Sequence, residues 1–150
     1  MYKIYFEDLP IGHSDSFGTY KVCKDEIIEF AQKYDPQPFH LDEKAAQASV
    51  FGALCASGWH TCAMLMRMLV DHMQAIGMAS MGSPGMDGIE WKRPVFAGDT
   101  LSVTTKVTAK RESKSRPKVG FVKGTYDVTN QKGETVMLMH SNYMVARRPT

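Results

Sequence analysis

The sequence predicts an α+β fold in which a curved antiparallel sheet wraps one long central helix, and three observations carry that prediction. A long, strongly apolar helical stretch occupies the middle of the chain, four β-rich segments follow it, and one more precedes it. Strands that follow one another without helices between them pair antiparallel, and a helix that is apolar nearly all round must be covered by another layer. With 150 residues, 43% of them hydrophobic and 23% charged, the chain reads as a single domain over residues 1–150 that buries a core without covalent staples.

The first strand is read in "DSFGTYKV" (15–22). A helix follows over 25–34, "DEIIEFAQKY", where Asp25 and Glu26 suit the positive end of the helix and Ile27, Ile28, Phe30, Ala31 and Tyr34 recur at helical spacing. It stops at "YDPQPFH" (34–40). Pro36 and Pro38 remove two backbone donors and push Asp35 and Gln37 out of the helical region, so this segment is expected to be a rigid, non-repetitive turn. A short helix is read over 42–48, "DEKAAQA", with Phe51-Gly52 as its exit. The long helix spans "SGWHTCAMLMRMLVDHMQAIG" (57–77), with Ser57 as N-cap and Gly77 as C-terminal stop. His60, Arg67, Asp71 and Gln74 fall on one face of it, and nearly everything else is apolar. The run "MLMRML" is core filler first, with pliable Met side chains available to line an acyl tunnel. After the loop "SMGSPGMDG" the pattern turns β-rich, in "GIEWKRPV", "TLSVTTKVTAK", "KVGFVKGTYDVTN" and "ETVMLMHSNYMVA". The separators are turn signals: Ala97-Gly98-Asp99, "RESKSRP", and Asn130 to Gly133.

A net charge of +2 is too small to argue for nucleic acid or an anionic membrane as the main partner. No run is long enough to span a bilayer, and Lys3 interrupts any N-terminal signal pattern, so the expected location is the cytoplasm. Three cysteines, Cys23, Cys55 and Cys62, without a CxxC, argue against a disulfide framework and against a zinc site. No metal and no separate cofactor is expected. Cys62 stays open as a nucleophile, although no Cys/His signature surrounds it.

Taken in order, "YFEDLPIG", "FAQKYDPQPFHLDEKAA", "ASGWHT", "GSPGMDGIEW" and "RPVFAGDTL" resemble the MaoC-like acyl dehydratases, which include the (R)-specific enoyl-CoA hydratases. The resemblance covers nearly the whole chain, and Asp-Pro-x-x-x-His is its specific element. It implies the hot-dog fold, a homodimer or a multiple of dimers, and an acyl-CoA thioester as substrate. It also implies roles. Asp35 and His40 would bind and activate a water, and the N–H of Gly58 would bind the thioester oxygen. Many hydratases of the family have His where Ser57 stands, although "SG" is frequent in a MaoC-like subgroup; the departure leaves the substrate class open.

The residue types fit that chemistry. Adding water across the double bond of a trans-2-enoyl-CoA, to give a 3-hydroxyacyl-CoA, needs a base for the water, a proton for the α carbon and stabilisation of the enolate oxygen. An imidazole, with an ordinary pKa of about 6.5, takes a proton near neutrality, which makes His40 a candidate base. Asp35 either holds the same water or orients the imidazole. Gly58 leaves its amide unshielded at a helix N-terminus; the bland alternative is that close packing around a wide Trp59 demands a small residue there. Ser57, Trp59 and His60 are candidate substrate-binding residues, Ser57 as helix cap or pocket wall and His60 either facing the ligand or serving the wet stripe. Seven Lys or Arg against one Glu between Lys106 and Lys123 make Arg111, Lys114 and Arg116 candidates for the coenzyme A phosphates, unless they only keep an exposed hairpin soluble. Asp71 and His72 point in different directions on a helix and form no dyad. An acyl-CoA thioesterase is the rival enzyme, opposed by the lack of an acid in the first turns of the long helix; a non-catalytic acyl-thioester binding module is the other alternative. The apolar strand "TVMLMH" is expected to be buried by pairing of copies through their sheets.

Overall fold

Each β-rich segment forms a strand, and all five join one antiparallel sheet. The computed structural model describes all 150 residues. The strands are β1 (Ser14–Lys21), β2 (Gly85–Trp91), β3 (Thr100–Glu112), β4 (Val119–Thr129) and β5 (Thr135–Ala146), in the order β1-β3-β4-β5-β2. β3, β4 and β5 form a meander, β1 closes one edge against β3, and β2 pairs with β5 on one side only. The β2 strand ends at Trp91, before Pro94, because a proline cannot donate to the ladder.

The helices are α1 (Lys24–Tyr34), α2 (Pro38–Leu41), α3 (Glu43–Gln47) and α4 (Gly58–Ile76). α4 lies on the inner face of the sheet. Met64, Leu65, Met68 and Leu69 share one core with Leu101, Val103, Val128, Met137 and Met139. A smaller core of Phe6, Leu9, Val107, Val122 and Val145 lies under the N-terminal segment. α4 ends where Gly77 turns left-handed (φ 70°) and Met78 N–H closes on the Met73 carbonyl at 2.9 Å, a conformation that costs glycine nothing. No helix is long and apolar enough to cross a membrane.

Three expectations need correction. Residues 38–41 are not irregular but form the one-turn helix α2, with Pro38 in its first turn, where the missing N–H would have had no partner anyway. Arg67, Asp71 and Gln74 are exposed as expected, but His60 is buried at 3% exposure, while Trp59 and Met66 share the open side of α4. The apolar character of β5 is explained inside one chain: Val136, Met137 and Met139 are buried in its own core. On its outward face His140 and Asn142 belong to polar pairs, with Glu90 (3.1 Å) and Asp87 (2.8 Å), while Leu138 and Met144 on the same face are half-buried.

Leu65, 1% exposed on the core face, should lose about 3 kcal/mol of stability when truncated to alanine, read as a lower urea midpoint at unchanged slope. Met66→Ala on the open face, at 49% exposure, should stay within about 0.5 kcal/mol of the parent.

Candidate active site

Asp35 is set by the end of a helix and the proline after it. Its N–H still donates to the Ala31 carbonyl (2.9 Å), but its backbone has left the helical region (φ −149°, ψ 69°), as the residue before a proline must. The carboxylate is thereby aimed at the start of α4. Oδ2 accepts from Ser57 Oγ at 2.7 Å, and Oδ1 accepts from Gln37 Nε2 at 2.7 Å. Partial burial works to raise the pKa of Asp35; the bonds from Ser57 and Gln37, and His40 beside it, outweigh that and hold the carboxyl below the usual carboxylate range. It is ionised at neutral pH.

His40 rides on α2 and is buried at 5% exposure. Its Nδ1 lies 2.7 Å from the Cys55 carbonyl. A carbonyl only accepts, so Nδ1 carries the proton and, in the neutral ring, Nε2 presents a lone pair. That Nε2 is 3.5 Å from Asp35 Oδ2. Two acceptors therefore stand side by side, a pairing that invites a donor to both.

Ser57 does not cap the helix that it precedes: no side-chain cap bond forms, because its hydroxyl is spent on Asp35. The first backbone bond of the turn is Thr61 N–H to the Ser57 carbonyl (3.0 Å), so the N–H groups ahead of Thr61 keep no intrahelical partner. Gly58 is small because of Trp91, not Trp59. A Cβ there would come 2.5 Å from Trp91 Cε2, and the indole Nε1 donates to the Gly58 carbonyl at 3.0 Å. Trp59 is 60% exposed and meets Trp91 edge to face (5.3 Å).

These groups open onto a cleft of about 490 Å³ whose walls include Asp35, His40, Ser57, Gly58, Trp59 and Trp91, with Phe39, Phe51 and Val95 as apolar lining. His60 is not part of it. Its ring stacks on Phe30 (4.7 Å, 7°) and its Nε2 lies 3.3 Å from Glu26 Oε1, toward α1. Nor does one chain bring Arg111, Lys114 and Arg116 to the cleft. Trp91 pairs with Met137 near the start of β5, whereas Arg111 pairs with Phe121, which pairs with Met144 seven residues further along β5, roughly 20 Å away at ~3.3 Å per residue. Arg111 instead stacks on Phe121 (4.2 Å). Cys62 is outside the cleft as well, its thiol 3.7 Å from Met137 Sδ and its pKa raised by burial. Burial likewise pushes the Cys55 thiol up to about 11, so both stay protonated.

Sequence reasoning missed Gln37, Trp91, Lys92, Arg93 and the Cys55 carbonyl. Gln37 lies inside the proline-flanked motif and its amide was within reach of Asp35, a signal that the spacing did carry. Lys92 and Arg93 precede a proline at the end of β2 and reach the cleft wall while paired with Glu90 (2.9 Å) and Glu134 (3.1 Å).

A family model described as the MaoC like domain matches residues 9–131. A solved MaoC-like dehydratase of Rhodospirillum rubrum superposes with a TM-score of 0.89 at 41% identity, covering 99% of this chain and 100% of that one. The (R)-specific enoyl-CoA hydratase of the same species is 30% identical over 105 residues, 69% of each chain. The uncharacterized protein YdeM of Bacillus subtilis is 28% identical over 126 residues, 84% of this chain and 87% of its own. The sheet wrapped on α4 is the hot-dog fold.

Ser57→Ala removes one of the donors that favour ionised Asp35. Because the folded pKa is depressed, this stabilisation is present above the unfolded carboxyl value and lost as the pH falls through the folded one. The variant should show a raised Asp35 pKa by carboxyl NMR. It should lose about 2 kcal/mol of stability at pH 7, and the gap to the parent should close in acid.

Proposed function

The chain belongs to the MaoC like domain family, and from that premise we propose that it adds water across the double bond of a trans-2-enoyl-CoA to give a 3-hydroxyacyl-CoA, or runs the reverse dehydration. The single observation that carries this reading is that two acceptors 3.5 Å apart, Asp35 Oδ2 and His40 Nε2, share one cleft with Gly58, in the uncapped first turn of α4.

A water between the two acceptors donates to both, which turns a lone pair of its oxygen toward the cleft. His40 Nε2 takes one proton as that oxygen attacks the β carbon. The electron pair of the double bond moves through the α carbon onto the thioester oxygen, where the N–H of Gly58 and the positive end of α4 receive it. A preorganised donor of this kind is worth about 3 to 4 kcal/mol in the transition state. The dyad then returns a proton to the α carbon, and the thioester survives. Ionised Asp35 fixes the water and stabilises the imidazolium that forms. The water is held on one side of the acyl chain, so one enantiomer results; the (R)-specific relative supports the (R) product. Lys92 and Arg93, the cations in the cleft wall, are placed to meet the carrier, with coenzyme A as the carrier in this reading. A second copy covering the open β2 edge and the exposed side of α4 belongs to the same proposal, as a homodimer.

Hydrolysis of the thioester is the rival outcome. It is disfavoured because the first turn of α4 contains no acidic residue to direct water at the carbonyl. Incubation with trans-2-enoyl-CoA thioesters of graded length should bleach the conjugated enoyl absorbance without releasing thiol. Asp35→Asn and His40→Ala should each lower turnover by about a hundredfold or more with the fold retained by circular dichroism, although at a lower melting temperature, since each change breaks bonds at the site. Free coenzyme A appearing as fast as the enoyl signal decays would overturn the reading in favour of a thioesterase, and an unchanged substrate would leave only a binder.

A further inference from the structure

An oxyanion donor has to be both uncapped and immobile, and these demands conflict. The N–H groups of a first helical turn are ordinarily held by a side-chain cap, which would occupy the donors themselves; a turn without a cap frays. Here the usual cap residue, Ser57, bonds to Asp35. The turn is held instead by side chains that make no bond to its amides. Trp91 takes the Gly58 carbonyl from the β2 side. From the other side His60, two residues after Gly58 and buried at 3% exposure, stacks flat on Phe30 and directs Nε2 at Glu26 Oε1 (3.3 Å). Glu26 also accepts the hydroxyl of Tyr20, so β1, α1 and α4 meet at one carboxylate.

We infer that His60 and Glu26 are positioning residues for the proposed hydration, holding the uncapped first turn of α4 against the helix whose far end carries Asp35. The inference rests on the function proposed above, since it assigns the amide of Gly58 the work of an oxyanion donor. The geometry of His60 supports it. Glu26 accepts, so Nε2 carries the ring proton and Nδ1 is left as a bare acceptor; Nδ1 is buried without any partner. An unmet acceptor on one ring atom is the cost of aiming the other at Glu26. Burial, opposed by Glu26, lowers the pKa of His60, which keeps the ring neutral in this role. Phe30 and Glu26 lie one turn apart on α1, so ring stacking and hydrogen bond fix both the distance and the rotation of the turn.

The test uses Glu26→Ala, Glu26→Gln and, as a control, Leu9→Ala in the smaller core far from the cleft. Glu26→Gln keeps a side-chain oxygen for His60 and for Tyr20. With an enoyl-CoA substrate, Glu26→Ala should lower kcat about tenfold with KM within twofold, Glu26→Gln should restore at least half of kcat, and Leu9→Ala should retain kcat even with a comparable fall in Tm. Amide hydrogen exchange of the same proteins provides a readout that needs no substrate. The Thr61 amide, which closes the first turn, should lose protection about tenfold in Glu26→Ala and keep it in Glu26→Gln and Leu9→Ala. Unchanged Thr61 protection and kcat in Glu26→Ala, no rescue by glutamine, or an equal loss of kcat in Leu9→Ala would overturn the inference. If no enoyl thioester is hydrated by the parent, the functional reading fails, and exchange at Thr61 still decides whether Glu26 holds the turn.

Discussion

The hydroxyl of Ser57 occupies the position from which serine caps a helix, and it bonds to Asp35 instead, at 2.7 Å. One short bond thereby links the end of α1 to the start of α4. It helps to keep Asp35 ionised against partial burial, and it leaves the positive end of a 19-residue helix without its customary occupant. The remainder of the local structure serves that bond. Pro36 turns Asp35 out of α1 toward Ser57, Pro38 opens the short helix that carries His40, and the indole of Trp91 lies so close over residue 58 that only glycine fits there. A helix dipole is worth little at a solvated surface and considerably more in a walled cleft, where the dielectric is lower.

Much of the fold was legible because it depends on local periodicity. The apolar positions of α4 recur at helical spacing, the β-rich segments are separated by Gly, Asp, Asn and Pro turns, and Gly77 marks the stop; each is a short-range property. The Asp35/His40 spacing was legible for the same reason, since two prolines specify a local path. Long-range matters escaped. His60 is polar and falls at the spacing of the wet stripe, but a neighbouring helix supplies Phe30 and Glu26, and burial follows from them. The apolar run of β5 has the composition of a surface that another copy covers, whereas Val136, Met137 and Met139 are buried in the core of the same chain. Arg111, Lys114 and Arg116 form a charge cluster in the sequence, yet strand register carries them to the far end of the sheet from the cleft, and register cannot be read from composition.

The sheet divides its labour by face. Its inner face is a continuous apolar floor under α4, and its outer face mixes ion pairs, Lys123 with Asp87 and His140 with Glu90, with the half-buried side chains of Phe121, Leu138 and Met144. Pairs of this kind on an exposed surface contribute little to stability. Their effect is on association: charged pairs disfavour the stacking of another sheet on this face, and the outer sides of β1 and β2 are the two edges along which a sheet can grow.

In the proposed mechanism the base and the oxyanion donor are both governed by main-chain atoms. The carbonyl of Cys55 selects the tautomer of His40, and the amide assigned to the thioester oxygen is that of Gly58, in a first turn without a side-chain cap. Main-chain groups are common to all residues, so position 55 can change its side chain without altering the proton on Nδ1, provided that the loop keeps its path. Half of the site is therefore inherited as a route through space, not as a set of letters. Transplanting it to another scaffold would mean moving the loop before α4 whole, since copying Asp35 and His40 alone would deliver the acceptors without the groups that orient them.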